Sequence, residues 1–181
     1  MLVTCMRNAY IYSMSEDRTA NLLGALALGL ADALVRETEL CAEHGATAPA
    51  ALVTVGFYPG EPIDGLARTL GLSHSATVRL VDRLAKDGLL ERRGGADGRI
   101  SALHLTRRGQ ARRRAILQGR RRVLAEVLDG VSADERAALT GLMERLLAAL
   151  TRDRQHADHI CRLCDERVCP GETCPVECAV T

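Results

Sequence analysis

Two sets of side chains in this chain could do chemistry. Five of its seven cysteines, Cys161, Cys164, Cys169, Cys174 and Cys178, fall within eighteen residues. The first four follow the spacing C-x2-C-x4-C-x4-C. Thiolates at such close, turn-forming intervals can surround one tetrahedral Zn²⁺, and the same sulfurs can hold an iron–sulfur cluster. Soft thiolates do not separate the two. Zinc is placed ahead because the spacing is similar to a zinc knuckle with Cys replacing its His, although the glycines of a knuckle are missing. The cluster reading takes some support from Cys169-Pro170 and Cys174-Pro175, where proline keeps the backbone turning. Metal-free redox thiols stand third. His156 and His159 precede the cysteines and could replace a ligand; as helix-end residues near the negative end of the helix dipole they need no such role. Cys161-x2-Cys164 could also act as a thiol–disulfide oxidoreductase, but the βαβ context that such a motif wants is missing. Cys41 reads as a small core residue, and Cys5 takes no role.

The second set is basic. Net charge over the chain is only +1, yet residues 63–109 carry nine Lys or Arg against five Asp or Glu, and Arg112, Arg113, Arg114, Arg120, Arg121 and Arg122 follow. Clustered arginines are an electrostatic footprint for phosphate.

These residues need elements to position them. Aromatic residues make up 2% of the chain and Trp is absent, so the core is built from Leu, Ala and Val and the fold class is mainly α. A long helical pattern runs from Asp17 to about Glu43 and is apolar nearly all round, which requires cover by a second subunit. Its most apolar part, residues 22–35, is too short to cross a bilayer, and no signal-like stretch precedes it. A cytoplasmic protein is therefore expected, where thiols stay reduced. A short helix over 48–58 ends at Pro59-Gly60. Ile63, Leu66, Ala67 and Leu70 then share one helix face that stops at Gly71. Ser73 caps a further helix with Val78, Val81 and Leu84 inward, ended by Gly88. Two short strands with period-2 alternation follow around the glycine-rich GGADGR. Thr106 caps the next helix, and Ser132-Ala133-Asp134-Glu135 is a capping box for the last long one, with Leu139, Leu142, Leu146 and Leu150 at helical spacing.

Helix, helix and a two-stranded ribbon with arginine at its base and tip is a winged helix-turn-helix with long dimerisation helices at both ends. The second helix suits a DNA major groove and the ribbon the neighbouring minor groove. On that geometry Ser73, Ser75, Thr77 and Arg79 face DNA, with His74 and Arg83 beside them and Arg92, Arg93 and Arg99 on the ribbon. The organisation expected is a loose leader over 1–16, an N-terminal dimerisation helix over 17–45, the DNA-binding lobe over 46–109, C-terminal dimerisation helices over 110–155 and the Cys-rich metal-binding or redox tail over 156–181.

The run LARTLGLSHSATVRLVDRLAKDGLLERRGGADGRISALHLTRRG closely resembles the DNA-binding core of the MarR family of bacterial transcription regulators. The resemblance covers about residues 17 to 155. It includes Asp97-Gly98-Arg99, where the family pattern implies that Asp97 orients the wing arginines and Arg99 enters the minor groove, and Leu105-Thr106-x-x-Gly109 leading into the next helix. It implies a homodimer on a pseudo-palindromic double-stranded DNA operator, usually a repressor relieved by a small-molecule ligand or by oxidation. A ligand cleft near residues 55–58 is also implied. The Cys-rich tail is not typical of that family, which assigns it no role. The rival to DNA binding is a dimeric interaction protein that has kept the fold and lost its DNA contacts; the presence of Arg79, Arg92, Arg93 and Arg99 speaks against it.

Overall fold

The computed structural model describes residues 2–42, 45–94 and 101–181, and the side chains of all of these except 2–16, 40–42 and 101. The side chains of Cys5 and Cys41 therefore lie outside the described residues. Two compact units, Met1–Arg36 and Glu37–Thr181, are taken in turn.

The first unit is one run of helix α1 (Leu2–Ala42). The backbone is helical from Leu2, where a loose leader over 1–16 was expected. No glycine or proline interrupts the chain before Gly24, so nothing breaks the hydrogen-bond ladder. Leu22, Leu23, Leu26 and Leu28 are all half or more exposed, or nearly so. By length and composition the 23-residue stretch Asp17–Glu39 is long and apolar enough to cross a membrane, a wider span than residues 22–35 alone suggested, with Asp32 inside it.

The second unit is organised around α2 (Ala48–Phe57), in which every residue from Ala48 to Val55 is buried. Against it lie α3 (Ile63–Leu70), α5 (Arg107–Val127) and the sheet. Its core adds Leu66 and Leu70 of α3, Leu80, Val81 and Leu84 of α4 (His74–Lys86), Leu89, Leu90, Leu103, Ile116 and Leu117. Strands β1 (Glu61–Pro62), β2 (Leu90–Gly94) and β3 (Ser101–Leu105) form an antiparallel sheet in the order β1-β3-β2. Leu90 faces Leu105, and Gly94 faces Ser101 in register.

Both glycine stops of the helix pair are left-handed, Gly71 at φ +66° and Gly88 at φ +65°. At each, the following N–H reaches back five residues, Leu72 to the Ala67 carbonyl and Leu89 to the Leu84 carbonyl. That is the Schellman closure, in which glycine avoids the penalty a Cβ meets at positive φ. It turns α3 sharply into α4, and α4 into β2.

Thr106 joins α5 to this lobe. Its Oγ1 accepts the Gly109 N–H at 3.0 Å and donates to the Gly88 carbonyl at 2.6 Å, while its own N–H reaches the Leu89 carbonyl. One residue thus caps α5 and pins it to the turn after α4.

Helix α6 (Ala133–Leu150) starts on the expected Ser132–Glu135 capping box and contains no buried residue. Leu142, Leu146 and Leu150, four apart and therefore on one face, are each about half exposed. Beyond it, α7 (Arg154–Cys161), a 3-10 turn (Gly171–Thr173) and α8 (Pro175–Cys178) fold back, α7 onto α3 and α8 onto α6. Their core is small: Ala157, Cys174 and Val176, with Leu147, Ile160, Cys161, Cys169 and Val180 partly buried around them.

Candidate nucleic-acid interface

Helix α4 divides cleanly into two faces. Thr77, Leu80, Val81 and Leu84 are buried, and Ser75, Arg79 and Arg83 are exposed. The exposed three are spaced four apart and form one stripe along the helix. Ser73 is the N-cap, its Oγ accepting the Ala76 N–H at 3.3 Å and lying 3.3 Å from the Ser75 Oγ. Its hydroxyl is committed to its own helix, and the exposed amide end of α4 beside it suits an anion.

Thr77 does not face DNA as expected. It is fully buried, and its Oγ1 donates to the Ser73 carbonyl at 3.0 Å. Residues three and four apart share a helix face, so a position preceding Leu80, Val81 and Leu84 by three, four and seven turns inward whatever its polarity. Val78, expected inward, is only half-buried, and Leu80 takes that place.

Acidic residues hold the remaining parts. His74 Nδ1 stands 2.6 Å from Asp64 Oδ1, tying the first turn of α4 to α3. Arg92 Nη2 stands 2.7 Å from Asp82 Oδ1, which fastens β2 to α4. Arg93 pairs with Glu91 on its own strand through Nε at 2.9 Å and Nη2 at 2.5 Å. Both arginines are exposed, so solvent screens the pairs and a phosphate can compete for either. Asp97 and Arg99, at the ribbon tip, lie outside the described residues. Asp64, Asp82 and Glu91 were missed in the sequence because each earns its role only through where the helix and ribbon arginines or histidine come to lie.

The basic stretch of α5 is not uniformly a solvated face. Arg113 lies 3.9 Å over the Phe57 ring, and burial pulls its pKa down. Its Nε has no hydrogen-bond partner among the described residues.

Four of the five tail cysteines come together. Cys161, Cys169 and Cys174 pack in one small cluster, and Cys164 lines the same cavity as these three. Cys161 is held protonated by its hydrogen bond to Cys164 and by burial. That same bond draws Cys164 down to about 6, burial opposing and the Arg120 charge assisting. Burial and then Cys174 push Cys169 up to about 11. Cys178 is exposed and apart, its Sγ directed to the Glu172 carbonyl at 3.7 Å. Among the described residues no three His, Cys, Asp or Glu side chains surround a common point in a metal-binding arrangement. The histidines face elsewhere: His156 Nδ1 accepts the Arg152 N–H, and His159 Nδ1 is 3.0 Å from the Thr69 carbonyl at the end of α3.

All four clustered cysteines line a cavity of about 680 Å³ whose opposite wall is α2, through Val53, Thr54, Phe57 and Tyr58. Thr54 is 6% exposed and its Oγ1 lacks a hydrogen-bond partner among the described residues. Burial raises the pKa of Glu61, Asp158 and Glu166 around it, and of Tyr58, whose hydroxyl meets Glu166. Phe57 and Tyr58, from the neighbourhood expected to line a ligand cleft between the dimerisation helices and the DNA-binding lobe, line this cavity, whose other lining comes largely from the cysteine tail.

A sequence profile of the MarR family matches residues 50–100, which span α2 to the ribbon. Among solved structures, a MarR family transcription regulator is similar at 25% identity and TM-score 0.64, over 74% of this chain and 91% of the other. The PcaV transcriptional regulator from Streptomyces coelicolor is similar at 28% identity and TM-score 0.54, over 70% and 95%. FabT of Streptococcus pneumoniae, solved in complex with DNA, shares the fold at 18% identity and TM-score 0.63, over 75% and 96%.

Proposed function

We infer the function from the family: through its winged-helix lobe the chain belongs to the MarR family, and it is a DNA-binding transcription regulator and not an enzyme. The observation that carries the reading is the stripe Ser75, Arg79 and Arg83 on a capped helix whose opposite face is wholly buried. Such a helix enters a major groove end first, while Arg92 and Arg93 approach the flanking backbone.

In finer terms, the regulator is a cytoplasmic homodimer bound to a pseudo-palindromic operator, acting as a repressor. The exposed leucine faces of α1 and α6 support the dimer, since a lone subunit rarely leaves so much apolar surface in water. The cavity between α2 and the tail supports relief by an effector, and the clustered thiols support a tail that binds a metal or senses redox state.

Selection of bound duplexes from a randomised library, followed by anisotropy titration at several salt concentrations, tests this. The expected outcome is an inverted repeat whose half-sites are about one helical turn apart, bound with an affinity that falls steeply with salt. Failure to enrich any sequence, or indifference to duplex at low ionic strength, overturns it.

A further inference from the structure

We propose that Cys161, Cys164, Cys169 and Cys174 hold one thiophilic metal centre that staples the tail, with Cys178 outside it. The centre itself does not depend on the chain being a DNA-binding regulator.

Three observations lead there. The first is selection. Spacing alone offers five thiols, and folding gathers four of them along the wall of one cavity while leaving the fifth exposed on the Glu172 carbonyl. Cys161, Cys169 and Cys174, up to thirteen apart in sequence, pack into one cluster.

The second is local backbone. The Cys164 N–H bonds the Cys161 carbonyl at 2.8 Å, the Cys169 N–H the Asp165 carbonyl at 3.2 Å, and the Cys174 N–H the Gly171 carbonyl at 3.3 Å. Each of these cysteines thus closes a tight turn, the arrangement by which short loops bring ligands to one point.

The third is the shortage of any other glue. From Thr151 to Thr181 only Ala157, Cys174 and Val176 are buried, far too little apolar burial to order thirty residues against their conformational entropy. Segments this short are ordinarily stapled by metal or disulfide.

As each sulfur–metal bond forms, the remaining S–H proton leaves to solvent, so binding is accompanied by proton release. The four sulfurs surround no common point in this structure, so side-chain rotation accompanies formation of the shared coordination shell. A single Zn²⁺ and an iron–sulfur cluster assembled from iron and sulfide share this ligand chemistry.

The test uses the full chain isolated without oxygen. Metal content, acid-labile sulfide and the visible spectrum are measured, and the reduced metal-free chain is then titrated with Co²⁺. A colourless protein with one zinc per chain identifies the single ion; a brown protein with iron and sulfide identifies the cluster; either supports the proposal. Co²⁺ is expected to give sulfur-to-cobalt charge-transfer absorption with the strong d–d bands of a tetrahedral site. Cys164→Ser and Cys169→Ser are expected to lower metal retention at least about tenfold, and Cys178→Ser to leave it unchanged. Because the first two variants could fail to fold, circular dichroism accompanies them and the wild-type Co²⁺ spectrum stands as an independent readout. Isolation without metal together with no Co²⁺ uptake overturns the proposal, as does a Cys178→Ser chain that loses metal as completely as Cys164→Ser. Metal binding without DNA binding would sink the regulatory reading and leave the centre standing; DNA binding without metal would do the reverse.

Discussion

Thr77→Val separates the two roles that position 77 could have. Valine keeps the branched shape of threonine in a site with no exposed surface and replaces only the hydroxyl. The Ser73 carbonyl that accepts this hydroxyl at 3.0 Å also accepts the Thr77 N–H at 3.0 Å. Removing the hydroxyl therefore strands no buried acceptor, and the large penalty of an unsatisfied group is avoided. What remains is one local hydrogen bond, about 0.5–1 kcal/mol, partly offset by burying a methyl instead of a hydroxyl. Thr77→Ala also removes a methyl from the packed face, adding about 1 kcal/mol or somewhat more with its small cavity. The assay pairs urea unfolding with operator titration well below the unfolding midpoint. Both variants are expected to lose stability in that order while operator affinity stays within about twofold, below the roughly 1–3 kcal/mol of a lost base contact. A Thr77→Val chain of unchanged stability whose affinity drops tenfold or more would place the side chain at the DNA and refute the division of α4 into faces.

Three further outcomes follow from the same geometry. Arg79→Ala, on the exposed stripe, is expected to cost about 1–3 kcal/mol of operator binding if it reads a base, or to weaken all duplexes alike and flatten the salt dependence by about one unit if it holds a phosphate; anisotropy titrations across salt distinguish the two, and no change in either removes Arg79 from the interface. Gly109→Ala would drive a Cβ into the Leu89 carbonyl, with the Leu89 carbonyl carbon at 3.0 Å and Leu105 Cδ2 at 3.3 Å behind it; backbone cannot rotate aside, so unfolding experiments should show a loss of about 1–3 kcal/mol or more. Leu146→Glu, half exposed on α6, should leave secondary structure intact and shift sedimentation from dimer toward monomer, a stable dimer in the variant counting against α6 as a subunit interface.

Local chemistry was the legible part of the sequence. Gly71 and Gly88 stop their helices for conformational reasons that need no tertiary partner, and Ser73, Thr106 and Ser132 cap theirs by bonds to residues three further on. The gathering of cysteines was foreshadowed by spacing for the same reason, although which one stays outside was not. Nonlocal pairings were illegible. Two-residue β1 has no period to read and exists only because β3 offers Glu61 and Pro62 a partner. Arg92 meets Asp82, and Arg113 covers Phe57, across elements that must fold first. Thr77 is different: its spacing from Leu80, Val81 and Leu84 carried the answer, and its hydroxyl distracted from it.

The tail's placement makes it a lever only if its state changes contacts with the DNA-reading lobe, since a ligand shifts an equilibrium by no more than its differential interaction with the two states. Helix α7 makes such a contact, while α8 acts only indirectly, on α6. Helix α7 holds α3 through His159, whose Nδ1 must carry the proton because the Thr69 carbonyl it meets at 3.0 Å can only accept. Helix α8 rests on α6 beside Leu147 and is tied back to α7 by Arg154 and Glu177 at 2.6 Å. Cys161 closes α7 and Cys174 opens α8, and the two pack in one cluster. A centre joining them makes the docking of one short helix conditional on the docking of the other. A single hydrogen bond of the His159 kind contributes about 0.5–1.5 kcal/mol, and a tenfold change in operator affinity needs about 1.4 kcal/mol. Loosening α7 from α3 is therefore of the right size to matter, whereas loosening α8 alone would be felt first at the subunit face of α6. A centre there would accordingly act on DNA binding through α3 and the helix turn it shares with α4, and, with α6 as a subunit face, its half-exposed leucines would set how far a second subunit feels it.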